Sequence, residues 1–565
     1  FTFEYTSNPG WFALQSLPYL MEYEHECSEQ IFSKIFANSV GQKIVNSKPE
    51  IAKVYEAWRK DSSMVSNLQK NEELKSLLLA ETPWVQDAES ESLQQQRVGL
   101  LFETGRINKE LTSMLTRLRR MQNSSGAFPW FAGGRDNYYI TSHIIEGFGK
   151  LKNMKIELDD RRILANAIAY LDKELMEQKR RRESGNSTEF YKSYSVLAYA
   201  KTRSMHQEEF PIPAEQKDLI DKALEYQKER WTDYNLSEKA ELAIILNRFG
   251  HSAKALEIIE SLKQTAVKSK TYGMYWKENT ASWRSFNTPV EVQALIIQAF
   301  AEVSKDVETI EELKIWLIQN KRTNYWETTK STTAAVYALL MQGMDILPVS
   351  SNTQFMIGGE KLDIEALSNT PAEAGSGYVK KTWKAGEFSE DFGNIEIENN
   401  NTTAGYGGAY WQYFENLDKI RTHSESPLNI EKELYLNTGN NELKKINSDT
   451  PLKVGDLVSV RLVVRAEADM EFIHLKDMRA SGFEPTNVIS EHKYQNSTSY
   501  YESTRDAATH FFFDKLRKGT YVLEYTVRAN NAGSFSNGIS TIESMYAPEF
   551  SGHTSGIRVE IKEQQ

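Results

Sequence analysis

The sequence predicts a multidomain protein: a long helical part built as an α/α toroid, flanked by β-sandwich domains. Three observations carry that expectation. Residues 13 to about 345 place apolar side chains at three- and four-residue spacings almost throughout, the period of helices with one buried face. Within that stretch a tryptophan-containing loop leads three times to a threonine and then to an apolar helix. Such loop–helix units, with all their ends alike, suit helical hairpins set in a ring. From about residue 346 the pattern changes to short alternating runs separated by Gly, Asn and Ser, the mark of strands and turns.

Taken in order, "FTFEY" at residues 1–5 alternates large and polar residues and reads as a strand. It has neither the charged nor the apolar region of a signal peptide. The chain is therefore expected to be a piece of something longer, with any targeting segment outside it. "WFALQSLPYLMEY" is an apolar helix or turn, and "SEQIFSKIFANSV" begins another helix. In "ELDDRRILANAIAYLDKELMEQK" Asp159 or Asp160 can cap a helix whose stripe is Ile163, Leu164, Ala167, Ile168, Leu171 and Leu175. About ten to twelve helices are expected, the inner ones apolar all round. The repeated loops hold Trp130 before Thr141, Trp276 before Thr288 and Trp326 before Thr332. Each threonine is expected to supply an N-cap, while the aromatic packs over helix ends. Later, "TQFMIG", "GYVKKTW" and "GNIEIEN" read as strands. From about 427 "DLVSVRLVVRA", "MEFIHLKDMR", "THFFFDKLRKGTYVLEYTVRA" and "SGIRVEIK" have the spacing of a sandwich, with "ENLDKIRTHSESPLNI" as a linker between the two β regions.

Composition narrows the function classes. A chain of 565 residues exceeds one ordinary core, so two to four domains are expected. A net charge of −11 argues against a broad nucleic-acid footprint. The densest basic run, "KRRRE" at 179–183, reads as a solvated helix end. No run approaches the roughly 18 apolar residues of a membrane span. Zinc-like Cys/His spacing, a P-loop and a dinucleotide fingerprint are all missing from the sequence, so no metal or cofactor is expected.

The only cysteine, Cys27, lies in "ECSEQ". It stands at or just before a helix N-terminus, with Gln30 one turn on, so the two side chains can face each other. Exposed N–H groups there favour a thiolate, whereas Glu22, Glu24, Glu26 and Glu29 oppose it. Sequence alone does not decide between them. A thiolate held against a side-chain amide can displace ammonia and leave a thioester, because fixed geometry supplies a large effective concentration. The product survives only where water is excluded. Tyr19, Tyr23, Trp11, Phe12 and the loop "GAFPWFAGG" are candidates for that shield.

"PYLMEYEHECSEQ" resembles the thioester signature of the α2-macroglobulin and complement family, in which Cys-x-Glu-Gln follows an aromatic-rich helix. The bacterial α2-macroglobulins are the nearest match, and "KNEELKSLLLAETPWVQDA", "GAFPWFAGG" and "GTYVLEYTVRANNAGSFSNGISTIESMYAPEFSGHTSG" also resemble segments of that group. The resemblance runs almost end to end over this chain and covers about the C-terminal third of a full family member. It implies that Cys27 and Gln30 form the thioester, that Glu29 is the acid of the motif, with no role assigned, and that Tyr23 covers the bond. It implies a thioester toroid over 13–345, a discontinuous CUB-like β-domain at 1–12 plus 346–424, and a macroglobulin-like β-sandwich at 425–565. The implied function is that of a protease-trapping inhibitor, not an enzyme, in the periplasm or at the cell surface. Attacking proteases would be captured through lysine amines, other nucleophiles could react as well, and any membrane anchor would lie in an N-terminal region outside this chain.

The sequence departs from the family at Glu24, where bacterial members usually have proline, and at His25, where they usually have tyrosine. His25 is either a local base or acyl acceptor, or a solvent-facing residue. His143 reads as a satisfied core histidine, so a preference for amines or hydroxyls stays open. Tryptophan loops such as "YWKENTASW" read as helix-pair caps. The rival class is a carbohydrate-active α/α-toroid enzyme, which needs two carboxylates about 5 to 10 Å apart across a cleft. Asp136, Glu278, Glu291 and Glu327 are available, but no pair stands out. A non-covalent binding scaffold is the third reading.

Overall fold

The computed structural model describes residues 1–6, 10–23, 27–47 and 104–563, apart from 184–188, 270–271, 281–286, 321–324, 342–352, 363–377, 402–404, 412–414, 440–441, 448–449, 496 and 546. Glu24, His25, Glu26, the Trp11 side chain and the segment "KNEELKSLLLAETPWVQDA" lie outside the described residues. The described residues divide into two compact units, those up to 410 and those from 411 on.

The first unit holds twelve α-helices among its described residues: α1 Gly10–Glu22, α2 Ser28–Ser47, α3 Thr104–Met121, α4 Tyr138–Asn153, α5 Arg161–Glu183, α6 Tyr194–Ser204, α7 Ala214–Lys228, α8 Leu236–Arg248, α9 Ser252–Thr265, α10 Pro289–Val303, α11 Val307–Gln319 and α12 Thr329–Leu340. The even-numbered helices touch in succession, α2 to α4, α6, α8, α10 and α12, and α12 touches α2 again. Each odd-numbered helix lies against one of them: α3 on α2, α5 on α4, α7 on α6, α9 on α8, α11 on α10 and α1 on α12. Burial follows the same division. Helix α5 buries the stripe Ile163, Leu164, Ala167, Ile168, Leu171, Leu175 and Met176, whereas α8 buries every residue from Ala240 to Leu246. A one-sided stripe is enough for an outer helix, while an inner one has neighbours on most sides.

The expectation that the inner helices are apolar all round is corrected. Neighbouring inner helices are joined by buried or half-buried polar groups. Lys201 on α6 reaches Glu146 on α4 and Glu241 on α8, each at 3.2 Å. Arg248 on α8 grips Glu302 on α10 at 2.7 and 2.8 Å, and, beyond neighbours, Asn153 on α4 donates to Tyr337 on α12. Charges placed among helices that touch in this succession pair with one another. The α2–α4 contact is apolar and close: a Cβ at Gly147 would fall 2.0 Å from the Phe32 ring, so only glycine fits.

Lys201→Met should therefore cost about 2–4 kcal/mol, less than a fully buried pair because all three groups keep some exposure. Burial raises the Glu146 carboxyl, but Lys201, Lys150 and the Thr202 hydroxyl outweigh it and hold it below the ordinary glutamate range. A depressed carboxyl adds stability above its unfolded pKa that is lost as pH falls through the folded value. Chemical denaturation should show that wild type loses part of its advantage over the variant below about pH 4.5.

The three N-cap expectations hold once. Thr288 caps α10, its hydroxyl accepting from the Glu291 N–H, whereas Asn137 and Thr328 cap α4 and α12. Thr141 and Thr332 sit one turn further in, and their hydroxyls accept the loop N–H groups of Phe128 and Trp326. The buried aromatic of the first loop is thus Phe128, while Trp130 is 43% exposed. Trp276 and Trp326 donate their indole N–H to Leu262 and Leu317, carbonyls near the ends of α9 and α11.

Eight strands lie among the described residues of this unit. β1 (Thr2–Thr6) is the central strand between β6 (Tyr378–Thr382) and β8 (Tyr406–Tyr410), antiparallel to both. β4 (Thr353–Ile357) lies between β5 (Glu360–Leu362) and β7 (Ile395–Asn399), and β2 (Val267–Ser269) pairs with β3 (Gly273–Tyr275). Phe3 and Tyr5 meet Phe355 with ring centroids 5.4 and 5.0 Å apart, so the first residues of the chain share a core with strands more than 340 positions later.

In the second unit, β9 (Leu428–Asn437), β12 (Leu457–Ala466) and β18 (Gly519–Ala529) form the centre of a five-stranded sheet. β13 (Met470–Met478), β16 (Thr498–Thr504), β17 (Ala508–Leu516) and β20 (Ser540–Ser544) lie inside a six-stranded one. β12 alternates strictly, burying Val458, Val460, Leu462, Val464 and Ala466. Between the sheets Phe511 meets Tyr525, and Lys432 on β9 pairs with Asp477 on β13 at 2.6 Å.

Candidate functional site

Helix α2 begins at Ser28, so Cys27 stands immediately before it and Gln30 in its first turn. Cys27 is buried, and its main-chain N–H donates to the Gln30 Oε1 at 3.0 Å. That bond brings the amide end of Gln30 back over the start of the helix, and the N–H lies where negative charge develops when the amide carbon is attacked. The Ile31 N–H donates to the Cys27 carbonyl at 2.9 Å, closing the first turn.

The loop before α4 is fastened to this turn. The Ser28 N–H donates to the Trp130 carbonyl at 2.9 Å, and the Ser28 hydroxyl to the Pro129 carbonyl at 2.6 Å. The loop holds its shape through Gly126, whose φ of 93° and close approach to the Asn166 carbonyl exclude a side chain. Tyr19 and Tyr23 pack edge to face at 5.6 Å, and Tyr19 stacks on Tyr325 at 4.1 Å. Tyr325 comes from just before α12 and was not singled out from the sequence.

Glu29 points into the fold. Its carboxylate accepts from the Ser33 hydroxyl at 2.8 Å and from the Thr329 hydroxyl at 2.9 and 3.1 Å, and Thr333 donates to Ser33 at 3.3 Å. Next to Thr329, Lys330 pairs with Glu291 at 2.7 Å and lies over the Tyr139 ring at 5.4 Å. Burial raises the Glu29 carboxyl above its ordinary range, against the pull of the Ser33 and Thr329 hydroxyls. Burial likewise pushes the Cys27 thiol up. The Gln30 N–H draws it down and the Glu29 charge adds to the rise, so the net direction is upward. A thiol with a raised pKa is a poor leaving group, which lengthens the life of any acyl group it carries.

His143 is not the satisfied core histidine expected. Its Nε2 is buried without a hydrogen-bond partner, and burial, then the Lys330 and Lys150 charges, push its pKa down to about 3. Of the four carboxylates considered for carbohydrate chemistry, Glu291 is neutralised by Lys330 and Asp136 accepts from the Asn123 amide at 2.7 Å. Among the described residues no group of three or more His, Cys, Asp or Glu could hold a metal ion, and no helix is long and apolar enough to cross a membrane.

Comparison with known proteins points to one family for the chain. Residues 428–549, which take in β9 to β20 and the start of β21 (Ala547–His553), match the bacterial alpha-2-macroglobulin MG10 domain. An alpha-2-macroglobulin homolog of Nostoc sp. (strain PCC 7120) is 20% identical over 493 residues, 83% of this chain and 24% of that protein. The circularly permutated Ras protein 2 of Dictyostelium discoideum is 30% identical over 108 residues, 19% of this chain and 3% of that one. Among solved structures, trypsin-activated alpha-2-macroglobulin from Escherichia coli aligns over 99% of this chain and 34% of its own, with 15% identity and a TM-score of 0.48. The protein is of the multidomain class that joins helical and β domains. Residues 428–549 match a domain of the bacterial alpha-2-macroglobulin family, and the chain as a whole is similar to members of that family. It spans about a quarter of the length of the Nostoc relative.

Proposed function

We propose that this chain is the thioester-bearing part of a protease-trapping inhibitor. The observation that carries the proposal is the 3.0 Å bond from the Cys27 N–H to the Gln30 Oε1 in a first turn clamped by Ser28. In this reading the Cys27 Sγ attacks the Gln30 Cδ, the C–N bond breaks, and ammonia leaves with the thiol proton. A lysine amine of an attacking protease then forms an amide at the same carbon. The C–S bond breaks, and Cys27 regains a proton from the amine. In this reading the mutually packed Tyr19, Tyr23 and Tyr325 rings keep water from the bond.

The closed succession of inner helix contacts supports a six-hairpin α/α toroid over 13–345. The pairing of β1 with β6 and β8 supports a discontinuous CUB-like domain, 1–12 plus 346–424, with a macroglobulin-like sandwich at 425–565. In this reading the full protein meets proteases in the periplasm or at the cell surface.

The test is the intact mass of freshly purified protein with and without methylamine, with peptide mapping across residues 19–40. The expected result is a species lighter by one ammonia that gains methylamine at Gln30 and frees Cys27. A chain of unmodified mass, with Cys27 inert to methylamine treatment and Gln30 unchanged, overturns the proposal.

A further inference from the structure

We infer that Glu29 is a positioning residue: its buried carboxylate locks the first turn of α2 to the first turn of α12 and so holds Cys27 and Gln30 in reacting geometry. The inference rests on the thioester reading above and assigns a task to the residue of that turn whose side chain is bonded to Ser33 and Thr329.

The argument begins with connectivity. Helices α2 and α12 are the first and last of the inner succession, and their contact closes it. No short loop joins them, so their relative height is set by side chains. Glu29 meets Thr329 across 300 positions of sequence, and Ser33 meets Thr333 across another 300. The two pairs lie one helical turn apart on each helix, so together they fix both the height and the rotation of α2 against α12.

Helix α12 is in turn fixed to α10. Lys330 pairs with Glu291 at 2.7 Å, the Ser331 hydroxyl donates to Glu291 at 3.1 Å, and Thr288 and Ser331 share a hydrogen bond at 2.9 Å. Glu29 thus ties the reactive turn to an already rigid corner of the fold. At the neighbouring position of that turn, Ser28 holds the loop at Pro129 and Trp130. Rotation of the turn about the α2 axis would break one set of bonds or the other. Intramolecular acyl transfer depends steeply on such fixation, because a small misplacement forfeits most of the effective concentration.

Removing the carboxylate leaves the Ser33 and Thr329 hydroxyls facing a void, whereas glutamine can accept from Ser33 and donate to Thr329. Glu29→Ala should reduce the fraction of chains that have lost ammonia by about tenfold or more, Glu29→Gln should stay within about threefold of wild type, and Thr329→Val should fall between them. The double variant Glu29→Ala/Thr329→Val should be no worse than Glu29→Ala alone, since both remove one link. Lys201→Met serves as a destabilised control remote from the turn. It should lower the melting temperature while leaving the ammonia-loss fraction and the methylamine rate unchanged, a separation that a merely structural role for Glu29 would not produce. The inference is overturned if Glu29→Ala and Thr329→Val form the bond to the wild-type extent and react with methylamine at the wild-type rate. It is also overturned if Lys201→Met loses the bond in proportion to its stability. Wild-type protein with no ammonia loss would instead sink the thioester reading, and this inference with it.

Discussion

Cys27→Ala should abolish methylamine incorporation at Gln30, with label at that residue falling by about a hundredfold or more while the melting temperature changes little. An unactivated side-chain amide does not exchange with methylamine at neutral pH, so uptake depends on prior acyl transfer to sulfur. Alanine removes the sulfur and leaves the helix start intact, because the N–H that bonds Gln30 and the carbonyl that accepts from Ile31 are both main-chain groups. Gln30→Glu should have the same consequence for a different reason. A carboxylate offers no ammonia to expel and repels an approaching thiolate. Peptide mapping across residues 19–40 separates this result from labelling elsewhere. Persistent uptake at Gln30 in Cys27→Ala would mean that the chemistry does not pass through the thiol.

The second large effect is expected in the β-sandwich. Lys432→Met should destabilise this region by about 3–5 kcal/mol, on the order of 10 °C in melting temperature. Lys432 and Asp477 have fully buried side chains 2.6 Å apart, and the lysine also donates to the Met478 carbonyl at 2.7 Å. Without the ammonium, Asp477 keeps the Tyr525 and Ser540 hydroxyls as donors but loses its counter-charge. A buried carboxylate so stranded costs far more than a surface ion pair is worth. Adding Asp477→Leu should recover only part of the loss, because it leaves those two hydroxyls without their acceptor. Equal stability of Lys432→Met and wild type in urea would show that water reaches the pair.

Both effects rest on residues whose importance differs in legibility. The division into helices and strands was open to reading, since burial imposes a period on local sequence. The α5 stripe and the strict alternation of β12 are examples. So was the placement of Cys27 before a helix with Gln30 in its first turn, because helix starts and apolar periods are local signals. The N-caps were less so. Several hydroxyls stand within one turn of each helix start, and which of them caps depends on where the loop's buried aromatic lies. Phe128 displaced Trp130 in that role.

What composition and period determined was thus the class of protein, a helical part joined to β regions, with its one cysteine at a helix start and a glutamine one turn on. Only the tertiary structure decided what surrounds that turn. Thr329 reaches it from 300 residues away and Pro129 from 101, while Tyr325 stacks on Tyr19 of the preceding helix. The polar axis of the inner helices and the Lys432–Asp477 pair were equally beyond reach of local reading. A charged residue on an apolar helix or strand shows no partner in its own neighbourhood, and closing the chain on itself is what supplies one.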